Sequence, residues 1–290
     1  MNKKIIITSL ALATLSAGLI FSSCKKKEVV DSDTDAAADH TQVETHSNDI
    51  VNIGEQASYG ATTTYKLVHA EENIYSTCAT ITVAALNNTD NDTLTVNFGS
   101  GCAGLDGRTR SGMLQYIYTA GLNYRDSGNV ITVSSTNYMV DGNAINIGSK
   151  TIKNLGHITN GDLTWSITAN MSITKSNGKT IQWTSNKTKV LLAGERPNNQ
   201  PIDWAHAQIA VYGSASGTSA NGESFTASVA QSAWLVRNFN CNGYRKYFVA
   251  GELDFTPGTK PTRYINFGTG ACDNMAAITI SGHVYNVVLH

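Results

Sequence analysis

The side chains best suited to hold a ligand are three charged residues close together in the chain, Asp106, Arg108 and Arg110. In a regular strand the two arginines would point to the same face, because side chains alternate between faces. Guanidinium groups bind carboxylates through paired hydrogen bonds, so one hypothesis is a contact with a carboxylate or sugar acid. The other is an ion pair that closes the Asp106–Gly107 turn, and we favour it. Trp204, beside the loop 197–201, is a second speculative ligand contact that could stack on a sugar.

Other motifs that could carry chemistry fail on their context. Gly99-x-Gly101-x-x-Gly104 matches the dinucleotide-binding string, but an Asp-Gly turn and a strand follow it instead of a helix N-terminus. The seven histidines are scattered without the spacing of metal ligands, and no serine stands at the centre of a nucleophile elbow. We therefore assign no catalytic residue, no metal ligand and no cofactor from the sequence.

The charge balance excludes one class of partner. The 290 residues include 21 Lys+Arg and 22 Asp+Glu, for a formal net charge of −1, and charged residues are only 15% of the chain. A protein that binds nucleic acid by neutralising phosphates needs a basic stripe, so no nucleic-acid partner is expected. The 25 glycines and the low charge are typical of an exported all-β protein.

The first residues have the organisation of an export signal. Met1–Lys4 is basic, Ile5–Phe21 is apolar, and Ser22-Ser23-Cys24 follows. A cysteine at the cleavage position makes the segment resemble a bacterial lipoprotein signal. The resemblance implies a signal peptide over 1–23, cleavage before Cys24, and acylation of Cys24, palmitate included, as an outer-membrane anchor. The alternative is an ordinary signal peptide with an incidental cysteine.

Residues 24–49 are predicted to be a disordered acidic tether that carries the lipidated cysteine. Positions 25–49 contain three lysines and seven acidic residues, a net charge of −4, with no aromatic residue and no apolar period. Acidic residues near a lipidated cysteine resemble the surface-export signals of Bacteroidetes lipoproteins. Here three lysines come directly after the cysteine, so the sequence does not decide between the periplasmic face and the cell-surface face of the outer membrane. The remaining residues, 50–290, have a net charge of +1 and are predicted to form a single all-β domain.

The four cysteines beyond Cys24 predict two disulfides, because an exported compartment permits them and no zinc-like spacing is present. Cys78 and Cys102 are equidistant from Asp90, which lies in a turn-like run. Cys241 and Cys272 are symmetric about the Thr256–Pro257 bond. Hairpins folded at these points would bring each pair together, which predicts the bonds Cys78–Cys102 and Cys241–Cys272.

The middle of the chain predicts long antiparallel strands. From Leu163 to Ile173 every odd position is apolar and every even position is polar, the period of a strand with one buried face. A three-residue loop over 176–178 would pair the apolar Ile173 with the apolar Ile181. A two-residue Asn-Gly turn would instead pair apolar positions of one strand with polar positions of the next, so we predict the three-residue loop. The same parity applies around 220–222. A single short helix is expected over 49–59. The predicted fold is all-β, a long-stranded antiparallel meander in a curled open or barrel-like sheet with two disulfide-stapled hairpins.

A repeated phrase carries a resemblance to a family. Val96-NFGSGC precedes DGRTRSG, and Ile265-NFGTGACDN precedes ITISG. In these phrases the chain resembles uncharacterised Bacteroidetes-type lipoproteins. The resemblance supports a lipoprotein and implies no activity and no catalytic residue.

The sequence is compatible with three functions. We favour an outer-membrane-anchored lipoprotein that acts as a non-catalytic structural, interaction or ligand-binding module, with the membrane as its partner through the acyl chains of Cys24. The first alternative is a hydrolase of envelope glycans or lipids, which would need carboxylates converging in one cleft. The second is a lipid carrier, which would need an apolar concavity.

Overall fold

The computed structural model describes residues 35–58, 78–84, 91–104, 106–122, 124–197, 202–245 and 247–289, together with the backbone of 64–66. All of these lie in one compact unit that spans Asp33–His290. The predicted signal peptide, Cys24 and the first part of the predicted tether lie outside the described residues.

The described part contains one α-helix, α1 (Asp35–Ala57), sixteen strands and a short 3-10 helix, Gln231–Ala233. The strands of the first half are β1 (Thr64–Lys66), β2 (Thr80–Ala84), β3 (Thr93–Asn97), β4 (Cys102–Ala103), β5 (Thr109–Ile117), β6 (Val130–Val140), β7 (Asn143–Thr159) and β8 (Asp162–Thr174). The strands of the second half are β9 (Thr180–Ala193), β10 (Gln208–Thr218), β11 (Ser224–Val229), β12 (Leu235–Asn238), β13 (Ala250–Pro257), β14 (Arg263–Thr269), β15 (Met275–Ile280) and β16 (His283–Val288).

The strands form one antiparallel meander, as predicted. Almost every strand pairs with its neighbour in the chain, and the order runs from β1 to β16 without a crossover; β4 and β12 pair at the side of this path. The long central strands β5 to β10 carry most of the pairing. The odd positions of β8 from Leu163 to Ile173 are all buried, which confirms the predicted period.

The predicted loop between β8 and β9 is also confirmed. Ile173 pairs with Ile181, and Met171 pairs with Trp183. Gly178 has φ +81°, a left-handed conformation that favours glycine, and its N–H donates to the carbonyl of Lys175 at 2.9 Å. The hairpin between β10 and β11 keeps the same parity, since Ala215 pairs with Ala227. Burial therefore selected the three-residue loop in both hairpins.

Both predicted disulfides are present, Cys78–Cys102 and Cys241–Cys272. The turns that bring them together differ from the expected ones. The β2–β3 register pairs Thr80 with Asn97, and the β13–β14 register pairs Asp254 with Tyr264, so each hairpin centre lies one to three residues from the predicted point. Cys102 lies in β4, and the other three cysteines lie in irregular segments beyond the paired strands, so β4 and these segments bring each pair together.

The prediction of a disordered tether through residue 49 is wrong over 35–49. Helix α1 starts at Asp35 and runs to Ala57, so it also extends far beyond the short helix expected from residue 49. Sixteen of its 23 residues are buried, including every residue from Asp49 to Ala57. Strands β3, β8, β9 and β13 contact the helix, and Arg110 of β5 and Trp183 of β9 donate hydrogen bonds to it from the buried face of the sheet. The curled sheet therefore has α1 as its core, and this packing supplies the burial that offsets the ordering cost.

Candidate functional site

The predicted cluster of Asp106, Arg108 and Arg110 is an ion-pair network that includes a residue of α1. Arg110 Nη2 lies 2.5 Å from Asp49 Oδ2 and 2.6 Å from Asp106 Oδ2. Arg108 Nη1 lies 3.5 Å from the same oxygen of Asp49 and 3.7 Å from Asp106. The Arg110 side chain is fully buried. The ion-pair interpretation is therefore correct for this cluster, and its arginines bind carboxylates of the chain itself.

Burial alone would lower the pKa of Arg110, but the charge of Asp49 and the hydrogen bonds that Arg110 donates to Asp106 outweigh this effect. The pKa of Arg110 is consequently raised above its ordinary value. Because both hydrogen-bonding arms of the guanidinium are occupied by Asp49 and Asp106, the group has no free edge for an external acid.

Trp204 does not provide the expected stacking surface. Its side chain is 2% exposed, and its ring packs edge-on against Phe239 with centroids 5.4 Å apart. The ammonium of Lys189 lies 5.7 Å from the centre of the ring. Trp204 is therefore a core residue.

A series of carboxylates along α1 meets cations of the sheet. Glu44 lies 3.5 Å from the Lys187 ammonium. Glu55 lies 3.3 Å from the Lys189 ammonium and 3.7 Å from Arg125. All of these side chains are buried. These contacts hold the helix in the sheet through charge as well as through apolar packing.

Burial of these groups shifts several pKa values. Burial alone would raise the pKa of Glu44, but its neighbours, Lys187 first and then His40 and Lys150, outweigh this effect and the pKa is lowered. Burial lowers the pKa of Lys150 to about 7 although Glu44 opposes the shift, and the Lys150 ammonium donates to Ser47 Oγ at 2.7 Å. Burial also lowers the pKa values of His40 and His46 to about 4. The interior is therefore a set of titratable groups whose charges depend on one another.

The sequence contains a signal for these buried ion pairs between α1 and the sheet, which we call the seam. In β9 the odd positions Ile181 and Trp183 face inward, and the same parity carries Lys187 and Lys189 inward. Two inward lysines on a buried strand face require buried acceptors. The acidic residues of the segment 35–57 supply them.

The opposite, convex face of the sheet presents a shallow polar groove that sequence reasoning did not find. It has a volume of about 700 Å³ and runs across β9, β10, β11, β13 and β14. Register places Asn186, Ser214, Ser228, Asp254 and Tyr264 in one row across these strands. The residues that line the groove are Thr184, Ser185, Asn186, Ser214, Ala215, Ser216, Thr226, Ala227, Ser228, Asp254, Thr256, Thr262 and Tyr264.

The groove is chemically a hydroxyl surface. A second row runs from Thr184 through Ser216 and Thr226 to Thr256. The hydroxyls of Thr184 and Ser216 lie 3.1 Å apart. Asp254 is the single carboxylate among the lining residues, and Tyr264 is their single aromatic ring, 46% exposed. Such a surface can exchange hydrogen bonds with a polyhydroxylated molecule and offer it one ring face.

Within the described ranges, no group of three or more His, Cys, Asp or Glu side chains is placed to hold a metal ion. In the same part of the chain, no helix is both long and apolar enough to cross a membrane. Comparison of the chain with protein-family models, with curated proteins and with solved structures found no match.

Proposed function

We propose that the chain is a lipid-anchored envelope protein whose folded part is a non-catalytic binding module for a neutral, polyhydroxylated ligand, of the class of envelope glycans. The anchor follows from the signal-like segment and Cys24, and the ligand follows from the convex groove. The observation that carries the ligand class is the pair of hydroxyl rows that lie beside Asp254 and Tyr264.

Binding fits this groove better than hydrolysis does. Most glycoside hydrolases use two carboxylates that flank the scissile bond. Asp254 stands alone among the lining residues, and the seam carboxylates Asp49, Glu44 and Glu55 lie on the other face beside cations. The lipid-carrier alternative loses its support in a similar way, because α1 fills the concave side where an acyl chain would lie.

The ligand proposal is tested by isothermal titration of the full chain with neutral and acidic oligosaccharides. We expect binding of neutral oligosaccharides, and at least a tenfold weaker affinity for the variant Tyr264→Ala, since ring stacking is a large part of sugar affinity. Tyr244→Ala is the matched control, because Tyr244 is also partly exposed and lies outside the groove. The ligand proposal would be refuted if the chain bound no neutral oligosaccharide, or if Tyr264→Ala and Tyr244→Ala lost affinity equally.

The anchor is tested separately in cells. Metabolic labelling with an alkyne-bearing palmitate should label the wild-type chain and leave Cys24→Ser unlabelled. Labelling that persists in Cys24→Ser would show that the anchor is elsewhere, without affecting the ligand proposal.

A further inference from the structure

The last strand, β16 (His283–Val288), forms a free edge of the sheet. It pairs with β15 on one side, and the described residues place no strand on its other side. Natural proteins protect such edges with charged residues, prolines or bulges, because exposed edge strands pair with other chains. The segment 274–290 contains no Lys, Arg, Asp, Glu or Pro. This edge therefore lacks the usual protection.

The hairpin register identifies which backbone groups point away from the sheet. Ser281 and Gly282 form a two-residue turn with φ +49° and +83°, and Ile280 pairs with His283. The pair that flanks a two-residue turn is hydrogen-bonded, and bonding alternates along the strand. The N–H and C=O groups of Val284, Asn286 and Val288 consequently point outward from the free edge.

The same three residues are exposed on the convex face. Val284 is in register with Thr279, which is in register with the exposed Tyr264. Val284 is 64% exposed and Val288 is 49% exposed. Two exposed valines on either side of an asparagine form a pattern that reads the same in both directions.

We propose that β16 pairs with β16 of a second copy of this chain, antiparallel and centred on Asn286. In this register Val284 faces Val288 of the other copy, Asn286 faces its own equivalent, and Val288 faces Val284. Each of these three pairs exchanges two backbone hydrogen bonds, because their N–H and C=O groups already point outward. The result is a two-fold dimer with a sheet that continues across the axis.

Self-pairing is favoured over a different partner by the chemistry of the edge. A neutral strand has no charge to attract a charged peptide, and it has no like charge to repel its own copy. The Val–Asn–Val pattern is self-complementary only in the register centred on Asn286. A single pair of strands buries less than the roughly 1,200 Å² of a standard interface, so the dimer is weak and depends on concentration.

Sedimentation equilibrium of the full chain tests the dimer. We expect a monomer–dimer equilibrium, and an increase in the dissociation constant of about tenfold or more for Asn286→Lys, because two lysines then meet at the axis. The matched control is Thr279→Lys, which places the same charge on the same face one strand inward and leaves the equilibrium unchanged. A wild-type chain that stays monomeric to about millimolar concentration would overturn the proposal, and so would an equal effect of Thr279→Lys, which indicates stacking of faces instead.

Oxidative crosslinking tests the register, in the full chain carrying Cys24→Ser. Asn286→Cys should form a covalent dimer, since directly opposed residues have Cα atoms about 5.5 Å apart, within the range of a disulfide. Val284→Cys alone should not crosslink, but a mixture of Val284→Cys and Val288→Cys should. The register would be contradicted if Val284→Cys alone crosslinked as strongly as Asn286→Cys, or if Asn286→Cys formed no covalent dimer. Retention of the two native disulfides and of the circular dichroism spectrum verifies that each variant is folded.

Discussion

Arg110 and Asp49 lie 61 positions apart in the chain, and their side chains meet at 2.5 Å in the interior of the protein. The contact joins β5 to α1, and thus the sheet to the segment that precedes it. Asp106 accepts from the same guanidinium at the rim. This pair fixes the position of α1 along the concave face, and a change in one partner leaves the other charge buried.

We expect Arg110→Ala to lower the free energy of unfolding by about 3–5 kcal/mol, because Asp49 is then left buried without its partner. Urea denaturation measures the loss. The half-buried pair of Arg196 and Asp203, 3.5 Å apart, is the control, and Arg196→Ala should cost less than about 1 kcal/mol. Similar losses of unfolding free energy in Arg110→Ala and Arg196→Ala would contradict the burial of the Arg110–Asp49 ion pair.

The double change Arg110→Met with Asp49→Leu should recover most of the lost stability, since replacing both members of a buried pair with apolar side chains is often close to neutral. If the double variant is as unstable as Arg110→Ala, then Asp49 has another structural role.

Lys150 should make the protein more stable as the pH rises above 7. Its pKa is about 7 in the fold and 10.5 when unperturbed, so between these values the unfolded chain binds more protons than the folded chain. Stability then increases with pH across this window. Melting temperatures between pH 7 and 10 should rise for the wild type and should rise much less for Lys150→Met. If the melting temperatures of the wild type and of Lys150→Met rose equally with pH, the lowered pKa of Lys150 would be contradicted.

His40 should make the protein sensitive to acid. The His40 ring packs against Phe225 and Phe255, with centroids 5.5 and 5.6 Å away, and accepts a 3.3 Å hydrogen bond from the Trp183 indole. Its pKa is about 4 in the fold and 6.5 when unperturbed, so the unfolded chain takes up the proton first as the pH falls. Stability is therefore lost between pH 6.5 and 4, by up to about 3 kcal/mol.

Titration of the histidine ring protons by NMR checks the value directly. A His40 midpoint close to 6.5 would contradict the buried neutral ring.

The sheet was largely predictable, because its signals are local. The alternation from Leu163 to Ile173 fixed the buried face of β8, and the odd loop lengths after β8 and β10 followed from the need to bury matching faces. The disulfide pairing was correct even though the turn centres were displaced. The resemblance of the repeated phrases to Bacteroidetes-type lipoproteins stays a prediction.

The helix was predicted only from residue 49 onward, and its first part, from Asp35 to Asn48, was missed because the charges of α1 do not lie on one side. Asp39, Glu44 and Asp49 are five residues apart, so each is rotated by about 140° from the last around the helix axis. A helix surrounded by a curled sheet has no polar stripe, and its sequence resembles a disordered acidic segment. The pairing of Arg110 with Asp49 was not predictable either, because only the tertiary fold brings these two distant residues together. The convex groove depends on the alignment of five strands, which no single strand pattern reveals.

Hydrogen exchange with mass spectrometry on the full chain tests the central claim that α1 is the core of the sheet. Peptides covering 43–57 should exchange as slowly as those of β8 and β9, on the order of a thousandfold or more below the unprotected rate, since core elements open with nearly the global free energy. Exchange of 43–57 at the unprotected rate, with β8 still protected, would contradict it.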